Sequence, residues 1–429
     1  MTLCEDYSGP FDEAFHLGKL SRRALGGLGR EYMLFAHFLD RGLMPLIGKR
    51  FGPAAMTGVA CDEWIGASPV YGPRNRKLLS IGGDGVSAIL KAFQLDIGFP
   101  HQYMDVGYEL VDDALGYFWL KRCGALEDIM AIAPGNEQAV VQLCHHMEDP
   151  TFPATVTSVN RRARIVAEHR PPLASAHLGP VCRWRVEIGD DDDSFVELPL
   201  TQAVRASRAA RFELAALPDR LGPGMADYSG SFRPNFVLED LAQPVLARQL
   251  CEIALDAHIL MRASYRSVRD RYGDAVVSEF ARDQWAGIAA VVVPRLRQRL
   301  CIDGDGMSAI LKTLQIDPAL PQQYVRRGAR LIDESRGQFW IEDCDAIAGG
   351  EAEAWMTLLS DADRPGIDRV VATVNPRARL AAIDPAQAGS TTARYAWEIT
   401  IDPRREPVAE SPIAAIVRFS NVSRFQFDS

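Results

Sequence analysis

Along residues 20–51 and again along residues 237–272, apolar side chains recur at three- and four-residue intervals, as in Leu250, Ile253, Ala254, Ala257 and Met261. That spacing lines one face of a long amphipathic helix. Further on, the period shortens. Residues 106–111 and 115–122 read as two strands joined by a turn at Asp112 and Asp113, followed by a helix near 137–147, strands around 155–166 and 182–188, and a last helical stretch at 199–214, matched by 412–427. Helices followed by an antiparallel meander, without βαβ alternation, predict an α+β fold.

The pattern occurs twice. Gly83 to Lys91 (Gly-Asp-Gly-Val-Ser-Ala-Ile-Leu-Lys) returns 221 positions later at Gly304 to Lys312 with one change, Met307 for Val86. At the same offset Glu31, His37, Asp62, Trp64, Tyr103 and Cys123 face Glu252, His258, Asp283, Trp285, Tyr324 and Cys344. After deletions, Asn160 and Arg162 face Asn375 and Arg377 at an offset of 215. Glycines and prolines between Leu217 and Asn235 break any regular element. The expected organisation is therefore a first repeat domain at 1–217, a linker at 218–234 and a second repeat domain at 235–429, packed as a pseudo-two-fold pair.

Composition narrows the function classes. With 47 Lys plus Arg against 56 Asp plus Glu, the net charge of -9 offers no basic field for a phosphate backbone, so nucleic acid is not an expected partner. Neither a signal peptide nor a membrane span is expected, and cytoplasmic residence follows. The eight cysteines form no Cys-x-x-Cys pair and read as reduced thiols. The expected partners are a small-molecule substrate and, at most, a second copy of the chain in a homodimer.

Several residues offer chemistry. Gly83-x-Gly85-x-x-Ala88 formally matches a dinucleotide fingerprint, but a hairpin follows where a βαβ unit is required, so the turn reads as a helix cap with Asp84 as acceptor. No cofactor is expected. His37 and His258 occupy equivalent places in the two long helices, and an imidazole oriented by Asp62 or Asp283 would make a general acid or base. The alternative for each is a core histidine bonded to backbone. Tyr103, Trp119 and Trp64, with Tyr324 and Trp340, supply aromatic surface for a pocket or simply a core. Arg162 shares a strand face with Arg164 and suits a carboxylate or solvent. Adjacent His145 and His146 point about 100° apart on a helix, poor geometry for one metal, and no metal is expected. The run 190–193 reads as a solvated loop.

The segments Met33-Leu34-Phe35-Ala36-His37, Phe51-Gly52, Asp62-Glu63-Trp64, Cys123, Asn160-Arg161-Arg162-Ala163-Arg164 and Cys182-Arg183-Trp184 together resemble the L-2-amino-thiazoline-4-carboxylic acid hydrolase-like family, here as a tandem duplication. The resemblance implies attack on a small heterocyclic carboxylate. The second half reads Ala396-Trp397 where the first has Arg183-Trp184 and lacks a counterpart of Cys182, which would leave any site there degenerate if that cysteine takes part. The resulting expectation is a cofactor-independent lyase or hydrolase acting on a small, ring-bearing substrate through His37 with Asp62 and His258 with Asp283. A binding or sensory module using the same pocket is the alternative, and a scaffold role for the doubled fold a third.

Overall fold

A computed structural model describes residues 3–172, 179–190, 197–348, 352–358 and 365–428. The run 191–193 lies outside them. Ser21 opens helix α1 (Arg22–Phe51) by accepting from the Ala24 amide at 3.2 Å, the usual service of a hydroxyl N-cap. Gly52, at φ 90°, reverses the chain directly into α2 (Pro53–Leu78), whose first residue is a proline with no amide to leave unpaired. There follow α3 (Val86–Leu95), strands β1 (Met104–Leu110) and β2 (Leu115–Cys123), α4 (Gly124–Ile132), α5 (Glu137–Val141), a π turn at Gln142–Met147, α6 (Glu148–Thr157), strands β3 (Ala163–His169) and β4 (Cys182–Ile188), and the short α7 (Pro199–Arg205) and α8 (Arg208–Arg211). The second half repeats this order with α9 (Gln243–Tyr272), α10 (Asp274–Arg299), α11 (Met307–Ile316), β5 (Arg327–Leu331), β6 (Arg336–Glu342), α12 (Trp355–Leu358), α13 (Pro365–Val374), β7 (Ala378–Ile383), β8 (Ala393–Ile401) and α14 (Pro412–Phe419). The fold is α+β, with two separate four-stranded antiparallel sheets ordered β1-β2-β4-β3 and β5-β6-β8-β7.

Three local expectations are corrected. The sheets are not simple meanders, because β4 enters between β2 and β3. Residues 155–157 belong to α6 rather than to a strand. There the Thr151, Thr155 and Thr157 hydroxyls donate back to the carbonyls of Met147, Thr151 and Pro153, which satisfies β-branched residues inside a helix. Finally, Asp84 caps nothing. The N-cap of α3 is Gly85, without a side-chain bond, and the Val86 amide donates to the Asp113 carbonyl of the β1–β2 turn.

The long helices pack across the repeat boundary, α2 against α9 and α1 against both α9 and α10. Two buried ion pairs fasten this bundle, one at each equivalent place. Arg74 of α2 forks onto Glu252 of α9 at 2.5 and 2.9 Å, and Arg295 of α10 forks onto Glu31 of α1 at 2.7 and 3.1 Å. Each guanidinium spends a further N–H on a carbonyl near the end of its own repeat, Ala210 for Arg74 and Phe425 for Arg295. The chain ahead of each long helix is exchanged in the same way. Lys91 donates to the Tyr228 carbonyl at 3.0 Å, and Lys312 donates to the Tyr7 carbonyl at 2.9 Å. The tyrosine hydroxyls then donate to Gln94 and Gln315. The stretch 218–234 therefore does more than connect, since Tyr228 within it is completely buried against α3.

Burial pushes the Glu31 carboxyl above its ordinary range even with Arg295 beside it, so desolvation weighs heavily on these pairs. Arg74→Ala, which strands Glu252, is expected to cost about 3–5 kcal/mol. The double variant Arg74→Met, Glu252→Leu should recover most of that loss in urea denaturation. A double variant no more stable than the single one would show that the stranded charge is not the source.

Candidate functional site

A cavity of about 410 Å³ lies in the first half between α1, α2, the sheet and α6. Met44, Met56, Trp64, Phe99 and Phe152 give it apolar walls, and His37, Asp40, Arg41, Asp96, Cys123 and Glu148 are its titratable lining. Its volume falls in the range of small-molecule pockets.

His37 points from α1 toward the loop after α3, and its Nε2 donates to the Gly98 carbonyl at 3.3 Å, which fixes the tautomer. Burial, with Arg41 nearby, lowers its pKa to about 3, so the ring is neutral at physiological pH. Tyr103 packs edge-on behind it at 5.1 Å between ring centroids, with a hydroxyl that has no hydrogen-bond partner among the described residues. Arg41 is taken up by Asp128 of α4, whose other oxygen accepts from the Asn421 amide at 2.6 Å.

Asp40 faces Glu63 of α2. Burial comes first, and the neighbouring Asp40 adds to it, in pushing Glu63 well above the carboxylate range; burial likewise raises Asp40. Asp40 Oδ1 meets no N–H or O–H donor among the described residues. Ser264 from α9 approaches Glu63 from behind and opposes its shift. At the opposite wall, burial raises Glu148 to about 8 against the pull of Arg170, and its Oε2 is buried without a partner. Asp96, raised by burial to about 6, accepts from the Gly98 amide and the Tyr71 hydroxyl.

Of the residues singled out from sequence, the cavity gathers His37, Trp64 and Cys123, with Tyr103 one layer behind. Asp62 is a correction. It accepts from Ser267 at 2.6 Å and pairs with Arg271, both on α9, on a face of α2 turned away from the histidine. Asp283 likewise has Glu279 and Arg282 for electrostatic neighbours, whereas His258 feels burial and Arg262, so no His–Asp couple forms in the second half. Trp119 and Trp340 stand on the outer faces of their sheets, where Gly107 and Gly328 opposite leave room for the indoles. Arg162 borders a separate surface hollow beside the Gly83–Gly85 turn. Tyr324 packs against His258 as Tyr103 does against His37. His145 donates to the Pro171 carbonyl, and His101 to that of Gln94. Cys123 and Cys182 are buried thiols whose pKa burial raises to about 12, far from an activated nucleophile.

The corresponding space in the second half is filled. Trp355 of α12 stacks on Trp285 at 4.9 Å between centroids and donates its indole N–H to the Tyr265 hydroxyl. Trp285 and Tyr265 are the counterparts, 221 positions on, of the lining residues Trp64 and Met44. Gly366, where the first half has the lining residue Thr151 at the 215 offset, lets α13 close onto Trp285, since a Cβ there would lie only 1.8 Å from the indole. Asp40 and Glu63 are replaced by Met261 and Gln284. The acid pair and Glu148 are the site residues that sequence reasoning missed. The signal for the pair was its absence from the second copy.

Among the described residues no three His, Cys, Asp or Glu side chains gather as a metal site, and no described helix is long and apolar enough to cross a membrane. Comparison with protein-family models, with curated proteins and with solved structures finds no match to this chain.

The raised Glu148 sets a pH dependence. The folded chain holds its proton to about pH 8, while an unfolded chain releases it near 4.5, so the unfolded state binds fewer protons across that window and this residue's contribution falls as pH rises through it. Glu148→Gln is expected to be more stable than the parent at pH 8 by about 1–3 kcal/mol and nearly equal at pH 4.5. Urea titrations at the two pH values check this, and a pH-independent difference would refute it.

Proposed function

We propose that the first half is a cofactor-independent enzyme site, of lyase or hydrolase type, for a small and largely apolar ring-bearing molecule, within a chain that arose by tandem duplication. One observation carries the reading: the half that keeps an open cavity also keeps the paired carboxyls Asp40 and Glu63, and the half that lacks them has its cavity closed by Trp355. A buried acid pair sharing one proton is costly for stability and suited to giving and taking that proton at an apolar substrate. Asp40 lines the cavity and is the acid–base group in this proposal. Glu63 lies behind it and positions and tunes it. Neutral His37 holds the Gly98 loop and presents ring edge to the ligand, while Trp64 and Phe99 are stacking walls.

The resemblance to the L-2-amino-thiazoline-4-carboxylic acid hydrolase-like family enters here as part of the proposal. Its Asp-Glu-Trp segment contributes Glu63 and Trp64, while Asp62 serves the contact with α9. The cavity's one arginine is already matched by Asp128, which favours a neutral ring over the carboxylate that the family name implies. The alternative, binding without turnover, is favoured by the low pKa of His37 and its bond to a carbonyl, which suit a fixed wall better than a proton carrier.

Titration of Trp fluorescence with neutral aromatic heterocycles and with 2-aminothiazoline-4-carboxylate, followed by mass analysis of each binder, tests the reading. Asp40→Asn should retain binding and lower turnover about 10²- to 10⁴-fold, with Glu63→Gln shifting the pH profile and Asp62→Asn leaving turnover unchanged. Binding with no chemical change in any ligand would favour the alternative, and loss of turnover in Asp62→Asn alone would overturn the assignment.

A further inference from the structure

Another hollow, of about 690 Å³, is lined by both halves and lies between residues 15–18, residues 215–218, α9 and the start of β5. It is separate from the first-half cavity and shares no residue with it. Two arginines, Arg248 and Arg327, line it and form no close ion pair among the described residues, although Asp317 acts on Arg327 and Glu213 feels Arg248 at longer range. Arg327 donates only to backbone carbonyls, those of Leu320 and Gln315. Arg248 makes one long bond to the Leu214 carbonyl at 3.5 Å, and its Nε is buried without a partner. Both guanidiniums lie near enough to the buried Cys251 thiol to influence it, which places them on one wall.

Four arginines elsewhere in the chain are treated differently, although Arg76, Arg297 and Arg299 also keep an Nε without a partner among the described residues. Arg41, Arg74, Arg262 and Arg295 each meet a carboxylate. In a protein with a net charge of -9, carboxylates are not in short supply. Although Glu13 and Glu342 also line the hollow, two guanidiniums without a close ion pair leave N–H donors there that an anion can satisfy. The first repeat does not build this feature. The counterparts of Arg248 and Arg327 are Gly27 and Val106, and the place beside Gly27 is taken by the Arg299 guanidinium. Glu342 also borders the hollow, but it faces Arg326 at 3.9 Å and accepts from Ser390, and it leaves the other two arginines unmatched. Leu17, Val325 and Phe339 supply apolar wall.

We infer that this cleft is a binding site for a small organic anion, with Arg248 and Arg327 as the anion clamp and an apolar body lying against Leu17 and Phe339. A guanidinium fork accepts carboxylate and phosphate alike, so the shared chemistry is an oxyanion on an apolar group. The inference is independent of the enzyme reading of the first half.

Isothermal titration of the full chain at low salt with benzoate, phenyl phosphate and inorganic phosphate tests it. Saturable binding of benzoate or phenyl phosphate is expected, weaker for inorganic phosphate, and weakened about tenfold or more by Arg248→Met. Arg327→Lys keeps a charge near the Leu320 and Gln315 carbonyls while removing the fork, and it should also weaken binding if it folds; Arg248→Met makes no demand on those carbonyls and keeps the test open if it does not. Preference for one of the two aromatic anions assigns carboxylate or phosphate. No saturable binding of any of the three, or binding indifferent to both arginine variants, would overturn the proposal.

Discussion

The two forked ion pairs, Arg74 with Glu252 and Arg295 with Glu31, are the constraint on which the rest of the molecule depends. Each joins a helix of one repeat to a helix of the other at a place shielded from water, and each also reaches a carbonyl near the C-terminal end of a repeat. Charges in such a setting tolerate little displacement, because a small shift exposes a desolvated carboxylate to no partner. The pairs thus fix how α1 and α2 lie against α9 and α10. With Tyr7 and Tyr228 exchanged between the repeats as well, neither half keeps a complete surface of its own.

That interlocking backs the first-half cavity, whose lining comes from the first repeat, with a helix of the second. Glu63 is held against Asp40 by the packing of α2 on α1, and Ser264 of α9 closes the space behind it. Phe35 on α1 reaches the other way and meets Trp355 of the second half edge-on at 6.4 Å. Electrostatics inside the cavity follow from the same exclusion of water: imidazole is driven neutral, Glu148 is held protonated, and the one guanidinium is neutralised by Asp128.

The α+β class and the long helices α1 and α9 were legible from spacing alone, since an amphipathic stripe is a local signal. Helices α2 and α10 were not, because they are covered on several sides and lose the one-sided stripe that reveals a surface helix. The pairing of His37 with Asp62 failed for a related reason. Both residues recur at the 221 offset, but recurrence reports what the two halves share, and the shared inventory is dominated by packing and by contacts between repeats. Asp40 and Glu63 could be seen only as differences between the copies. A carboxylate that changes to Met or Gln carries no motif, and its meaning depends on neighbours that come from other elements.

Those differences form one coupled change. In the second half the Gln284 amide donates to the Leu39 carbonyl at 2.8 Å while its oxygen accepts from the Tyr265 hydroxyl, which in turn accepts from the Trp355 indole. A carboxylate at that position would lack the N–H needed to meet the Leu39 carbonyl, so Glu63 cannot replace Gln284 in this chain of bonds without a proton of its own. In the first half, Met44 takes the place of Tyr265 and offers no hydroxyl, and Thr151 takes the place of Gly366 and holds α6 away from Trp64. Tyr265, Gln284, Trp355 and Gly366 therefore close a cavity together, and Met44, Glu63 and Thr151 leave one open around an acid pair. The two halves thus hold opposite solutions: one packs Trp355 onto Trp285, and the other keeps an apolar chamber beside two buried carboxyls.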